Sequence, residues 1–361
     1  MRPPSPLDID ADPRLARTPP ADFYRSARWF DWQRERLFAP AWTLAPALTR
    51  VPSPGDVEPF VLLPGGLDEA LLAVRDGDAL RCLSNVCTHR AKELVERPGR
   101  LATLRCGYHG RRFGLDGRCH AAPGFDALTD DDHLPGAATG WWAGLPFVSV
   151  RPTMAFEDWA GEGMRRLAML PVDALTWDAA WHRSYTVHAH WALYVENYLE
   201  GLHVPFLHPK LNASLAMPSY RTEALARSVL QVGVGRDDDP DALPPDGSHP
   251  NDRIAAYYLW LFPHTMLNFY PWGLSVNLVV PEHPDRTRID YLRYVWDASK
   301  MGRGAGGDLD TVEREDDEAV ESVQRGLRGR LYDRGRYAPG WDVGVHAFHR
   351  MLAAVAEGRD P

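Results

Sequence analysis

The chain has 361 residues, enough for two or three domains and for a substantial core without covalent staples. With 40 Lys and Arg against 49 Asp and Glu, its net charge is −9, which argues against a nucleic-acid surface. No apolar run reaches the roughly 18 residues of a membrane span. The opening MRPPSPLDIDADPRL lacks a basic start followed by an apolar stretch, so no secretory leader and a cytoplasmic location are expected. Four cysteines, Cys82, Cys87, Cys106 and Cys119, are too few for a disulfide scaffold.

In chain order, residues 1–40 open with a Pro-rich lead. Phe23, Trp29, Phe30, Trp32 and Leu37 then follow the spacing of an amphipathic helix that Pro40 ends. This segment is expected to pack on a later catalytic domain. Residues 41–150 hold short strand-like runs with Asp76-Gly77 and Asp116-Gly117 as hairpin signals, which predicts a small antiparallel β domain. Residues 151–361 mix helices and strands: a helix over 190–208, strands over 222–235 and 255–297, helices over 311–328 and 342–357. The acidic, Pro-rich stretch 235–252 reads as an exposed loop, and 301–310 as a flexible connection. GRGAGG at 302–307 lacks the strand–helix context of a dinucleotide fingerprint, so no nicotinamide site is expected on this chain.

Cys87-Thr88-His89 and, after sixteen intervening residues, Cys106-Gly107-Tyr108-His109 form two mixed pairs, each at a turn between strand-like runs. Thiolate with imidazole selects zinc, copper or an iron–sulfur cluster. A structural zinc site usually groups like ligands together. A Rieske [2Fe-2S] cluster takes two Cys on one iron and two His on the other, which mixed pairs supply directly. Cys82 and Cys119 fall outside the pairs and read as buried apolar residues.

The run CTHRAKELVERPG…LRCGYHGRRFGLDGRC resembles the Rieske domain of ring-hydroxylating oxygenase α subunits, departing at Gly107 and Thr88, neither a ligand position. The resemblance implies an α+β chain. A small antiparallel β Rieske domain would precede a helix-grip, START-like catalytic domain with a curved antiparallel sheet. Cys87, His89, Cys106 and His109 would hold the cluster.

Residues 190–209 read HWALYVENYLEGLHVPFLHP. On one helix Glu196, Glu200 and His203 share a face, with Asn197 adjacent, and Pro205 is placed to kink the chain so that His208 swings back beside His203. The pattern is similar to the mononuclear iron motif of the same family, a facial triad of two His and one carboxylate. The resemblance makes His203 and His208 ligands of Fe(II). It gives Glu200, where Asp is usual, a bridging role between a cluster His of a neighbouring subunit and an iron His, and places Asn197 beside it in the catalytic group. The third ligand falls in TVEREDDEAVESVQRG, at Asp316, with Asp317 as the alternative. Phe262, Met266, Asn268, Tyr270 and Trp272, from the aromatic run 259–281, are candidates for the substrate pocket.

The implied activity is hydroxylation of an organic substrate, aromatic or related, with O2 as cosubstrate. Electrons would come from a separate reductase or ferredoxin, with NAD(P)H acting only through that partner, and the subunits would form a head-to-tail homotrimer. Three rivals stand beside it: a monooxygenase or demethylase acting on a quaternary amine or methyl group, an electron-transfer Rieske protein with a ligand-binding domain, and a zinc-stabilised binding module.

Overall fold

The structure, a computed structural model, describes residues 1–236, 241–247 and 249–361. Residues 237–240 and 248 of the expected acidic loop lie outside the described residues. The fold mixes helices with antiparallel sheet, and the chain divides into two compact units, Ala39–Phe156 and Met1–Phe38 together with Glu157–Pro361.

In the Ala39–Phe156 unit every strand pairing is antiparallel. One sheet runs Ala79–Ser84, Glu69–Asp76, Asp56–Leu62, Gly99–Arg100, with Asp76-Gly77 turning the first hairpin as its sequence signals. A second sheet, Leu104–Arg105, Arg112–Phe113 and Cys119–Ala121, carries the Asp116-Gly117 turn. A third joins Thr43–Leu44, Leu145–Ser149 and Ala138–Trp142. Leu72, Val74, Leu104 and Phe113 form a core into which Cys87, Cys106 and Cys119 also pack.

The larger unit is built on an eight-stranded antiparallel sheet. Its central strands, Ser228–Val234, Ile254–Leu261, Thr265–Tyr270, Gly273–His283 and Arg286–Val295, are buried along most of their length. Apolar side chains dominate them, and inward polar residues break the pattern. Gln231, Tyr258, Asn268 and Ser275 are successive register partners on one row, and Met266, Asn277 and Tyr291 on the next.

Three sequence expectations change here. The N-terminal helix is two short helices, Ala21–Arg25 and Ala27–Gln33, followed by a π turn at Arg34–Phe38, because Ser26 adopts an extended conformation (φ −80°, ψ 126°). It still buries Phe23, Trp29, Phe30, Trp32 and Leu37 as the periodicity requires, and Phe38 with them. The helix expected over 190–208 stops at Tyr198, seven residues before Pro205. The stretch at 301–310 contains a 3-10 turn, Gly304–Gly306, whose Ala305 and Gly306 are buried.

Candidate metal centres and active site

Cys87 and Cys106 open two loops with the same hydrogen-bond pattern. Cys87 N donates to Lys92 O (2.9 Å) and Ala91 N to Cys87 O (3.0 Å); Cys106 N donates to Arg111 O (2.8 Å) and Gly110 N to Cys106 O (3.1 Å). The fifth residue of each loop has a positive φ, 54° at Ala91 and 77° at Gly110. Glycine adopts this conformation readily, whereas Ala91 is held there by its surroundings. Arg111, 2% exposed, braces the first loop: its guanidinium donates to Thr88 Oγ1 (2.8 Å) and pairs with Asp132 (2.8 Å).

These loops bring like atoms together. Cys87 Sγ faces the backbone N–H groups of His89 and Arg90, Cys106 Sγ those of Tyr108 and His109, and the two thiols are hydrogen-bonded to each other. The rings of His89 and His109 lie 4.7 Å apart. Burial, then the charges of neighbouring His109, Arg90 and Arg111, hold the His89 imidazole below its usual range, in the neutral form that ligates metal. Paired sulfurs backed by amide donors beside paired imidazoles fit a Rieske cluster. Cys82 stands apart, its thiol pushed up to about 12 by burial, which disfavours the thiolate that ligates metal.

In the larger unit the Trp191–Tyr198 helix is capped by His190, whose Nδ1 accepts from Ala192 N. Beyond Tyr198 the chain turns through Glu200–Leu202. Gly201 is required there: a Cβ would come 2.9 Å from the Tyr220 ring. Glu200 is therefore not on the Glu196 helix face. Its Oε2 accepts from the backbone N–H groups of Leu202 and His203, and its Oε1 accepts from His203 Nδ1 (2.5 Å). Glu196 turns elsewhere, accepting from Tyr24 Oη (2.7 Å) and His349 Nε2 (3.0 Å). Pro205 sits in the first turn of the Val204–Leu207 helix, and His203 and His208 bracket that single turn.

The Leu309–Gly326 helix supplies the carboxylate. Gln324 and Glu321 anchor it by accepting from His190 N (3.1 Å) and His188 N (2.9 Å). Asp316 Oδ1 lies 2.9 Å from His208 Nε2 and 3.6 Å from His203 Nε2. One ligand atom from each of His203, His208 and Asp316 can be chosen with all three within 4.8 Å of one another. Asp317 is not in this cluster, and its Oδ1 has no hydrogen-bond partner among the described residues. Burial, then the charges of Glu313 and Asp316, push its carboxyl up to about 7.

Each imidazole presents Nε2 because a carboxylate holds Nδ1: Glu200 on His203, and Glu315 on His208 (2.7 Å). Burial pushes the His208 imidazole down, and the bonds and charges of Asp316 and Glu315 more than offset it. Two imidazoles and one carboxylate, each oriented from behind, fit a mononuclear iron with open positions.

A cavity opens on this cluster. Its wall includes five tyrosines, Tyr194, Tyr198, Tyr220, Tyr258 and Tyr270, with Asn197, Gln231, Asn268, Asn277 and Glu313. Of the pocket candidates, Asn268 and Tyr270 line it. Met266 shares their strand face, 0% exposed, two residues from Asn268 and outside the cavity wall. Phe262 packs on Trp260, and Trp272 stacks on Tyr270 from behind. Sequence reasoning missed Tyr194 and Tyr198, although they share a helix face with Asn197, and it missed Glu313 and Glu315 within the acidic run. It also missed Gln231 and Asn277, which a polar residue inside an apolar strand signals.

The family description "Ring hydroxylating alpha subunit (catalytic domain)" matches residues 173–358, and "Rieske [2Fe-2S] domain" matches 50–132. The chain belongs to the ring-hydroxylating α-subunit family. Among curated relatives, choline monooxygenase of Arabidopsis thaliana is 28% identical over 377 residues, covering 96% of this chain and 86% of that protein. The carnitine monooxygenase oxygenase subunit of Escherichia coli K12 is 27% identical, covering 97% and 96%. Among solved structures, the quaternary ammonium Rieske monooxygenase CntA in complex with L-carnitine superposes with a TM-score of 0.76, at 25% identity over 98% of each chain. The α subunit is thus an oxidoreductase of the Rieske oxygenase type. Its Rieske domain implies a [2Fe-2S] cluster, and its family uses mononuclear iron and O2. Among the described residues no helix is long and apolar enough to cross a membrane.

Proposed function

We propose that this α subunit is a monooxygenase component acting on a quaternary amine. The observation that carries the reading is the cavity on His203, His208 and Asp316: five tyrosines line it, and among the described residues no Arg or Lys does. Aromatic faces attract an alkylammonium through their quadrupole, and the ring edges and apolar side chains fill the space around its methyl groups. Relatives named for choline and carnitine oxidation point the same way.

Cys87, His89, Cys106 and His109 would hold the cluster, and His203, His208 and Asp316 the iron. When bound, the iron supplies the site at which O2 is reduced and one oxygen atom is delivered to a substrate C–H bond. The balance is one C–H, one O2, two electrons and two protons giving one C–OH and one water. Glu200 and Glu315 hold the imidazoles in the ligating tautomer, Asn197 stands at the cavity wall, and the tyrosines exclude bulk water and orient the ammonium.

The electrons come from a separate reductase that oxidises NAD(P)H. Residues 86–120 carry eight Arg or Lys against three acids in a chain of net charge −9, which suits a partner with an acidic face. The Ala39–Phe156 unit serves as the electron-entry domain. In a head-to-tail trimer Glu200 would connect one subunit's His203 to the cluster His109 of its neighbour. The test is turnover with a surrogate reductase and a panel of quaternary amines and arenes. O2-dependent product from an amine supports the reading, and turnover of arenes alone overturns it.

A further inference from the structure

Among the described residues, Glu313 is the one carboxylate in the cavity wall that neither the metal cluster nor an imidazole uses. Asp316 faces His203 and His208, and Glu200 is spent on His203 and two backbone N–H groups. Glu313 lies one helical turn before Asp316 and lines the same cavity. It is half-buried and faces that cavity; burial, then the charge of Asp316, push its carboxyl up to about 7, while the Tyr194, Tyr291 and Asn277 donors favour the charged form.

Its hydrogen-bond partners are all neutral. Asn277 Nδ2 donates to Oε1 (3.0 Å), and the hydroxyls of Tyr194 and Tyr291 donate to Oε2 (2.6 and 2.7 Å). The network continues outward. Asn268 Nδ2 donates to Asn277 Oδ1 (3.0 Å), and Tyr198 Oη donates to Asn268 Oδ1 (2.7 Å). Five side chains from one helix and three strands thus fix the position of one carboxylate. Neutral donors lower the cost of burying the charge without cancelling it.

We propose that Glu313 is the specificity-determining counter-charge of the pocket, selecting a cationic substrate over a neutral one of the same shape. The proposal rests on the quaternary-amine reading above. Two neutral imidazoles and one carboxylate leave a bound ferrous ion with a net positive charge, which repels an ammonium brought beside it. A second carboxylate in the same wall, held off the metal by its three donors, offsets that repulsion. A neutral arene needs no such group and gains nothing from it.

The experiment is anaerobic equilibrium binding at pH 8, above the Glu313 carboxyl's range, to the cluster- and iron-loaded protein, by calorimetry. The ligands are choline and its uncharged carbon analogue 3,3-dimethyl-1-butanol. Wild type is expected to prefer choline by about tenfold or more. Glu313→Gln keeps the shape, and its hydrogen bonds can reverse because both tyrosine hydroxyls also accept. It is expected to lose about tenfold in choline affinity with the alcohol unchanged. Equal loss for both ligands, or a retained preference, overturns the role of Glu313. Should the variant lose its fold or its iron, wild type still decides, because equal affinity for the two ligands overturns the proposal. The substrate reading fails separately, if wild type binds neither choline nor tetramethylammonium but does bind toluene.

Discussion

His208 Nδ1 lies 2.7 Å from a carboxylate oxygen of Glu315, and that contact decides which ring nitrogen is left for metal. The residue directly before Asp316 thus orients a second ligand from the far side, so one helical turn sets two of the three donors. Glu315→Gln keeps an acceptor and is expected to cost little. Glu315→Ala leaves the imidazole free to rotate and is expected to weaken iron retention about 10- to 100-fold. Iron content after dialysis against a weak chelator measures it, with cluster absorbance as an internal control. Equal retention in both variants and wild type would show that packing alone orients His208.

The acid limit of stability follows from His190. Its Nε2 donates to Gln33 Oε1 (3.0 Å), and its Nδ1 accepts from Ala192 N (3.2 Å), so only the neutral ring satisfies both contacts. Burial pushes its pKa down to about 3, against 6.5 for an ordinary histidine. A depressed histidine binds its proton in the unfolded chain first. Its contribution is therefore complete above pH 6.5 and is lost as pH falls from 6.5 toward 3, by about 2 kcal/mol at pH 5. His264, also buried and lowered to about 3, acts in the same direction. Denaturant unfolding from pH 7 to 4 should show proton uptake on unfolding, and His190→Asn should remove about one proton of it. An unchanged pH slope in the variant would assign the acid limb to other groups.

The absence of Arg and Lys from the described cavity wall separates two candidate substrates. Choline carries a trimethylammonium and a hydroxyl, which Tyr, Asn and Gln side chains can meet. L-carnitine adds a carboxylate, which would be buried without a cationic partner. Choline is expected to bind about tenfold or more tightly than L-carnitine in competition calorimetry. A preference for carnitine would place its carboxylate outside this cavity.

The cluster loops were legible because two Cys-His pairs with fixed spacing are a chemical pattern that needs no tertiary information. The pairing of His203 and His208 was legible for the same reason, but its mechanism was not. Pro205 looked like the kink, while the chain actually leaves the helix at Leu199, where Gly201 passes against Tyr220 and Glu200 caps the next turn. A helical wheel misplaces any residue beyond such a break. Asp316 and Asp317 could not be separated by sequence, since both suit a helix there and only docking of the helix through Gln324 and Glu321 sets its rotation. The pocket was half legible: strand alternation finds Asn268 and Tyr270, but Gln231, Tyr258 and Asn277 reach the wall by cross-strand register, which no single segment contains.

Glu200 has two tasks that one substitution separates. Oε1 holds the His203 ring, and Oε2 caps the turn through Leu202 N and His203 N. In Glu200→Gln one terminal atom becomes a donor, so the remaining oxygen can serve the imidazole or the turn but not both. The cluster loops lie in the other unit and should keep their colour and sulfide. Iron affinity is expected to fall about 10- to 100-fold, and saturating iron should restore occupancy. With iron restored, single-turnover oxidation of the pre-reduced cluster reads the remaining role. Slow reoxidation at full iron occupancy, with cluster reduction by the reductase unchanged, is the expected result for a carboxylate that couples the two centres. Reoxidation at the wild-type rate would confine Glu200 to holding His203.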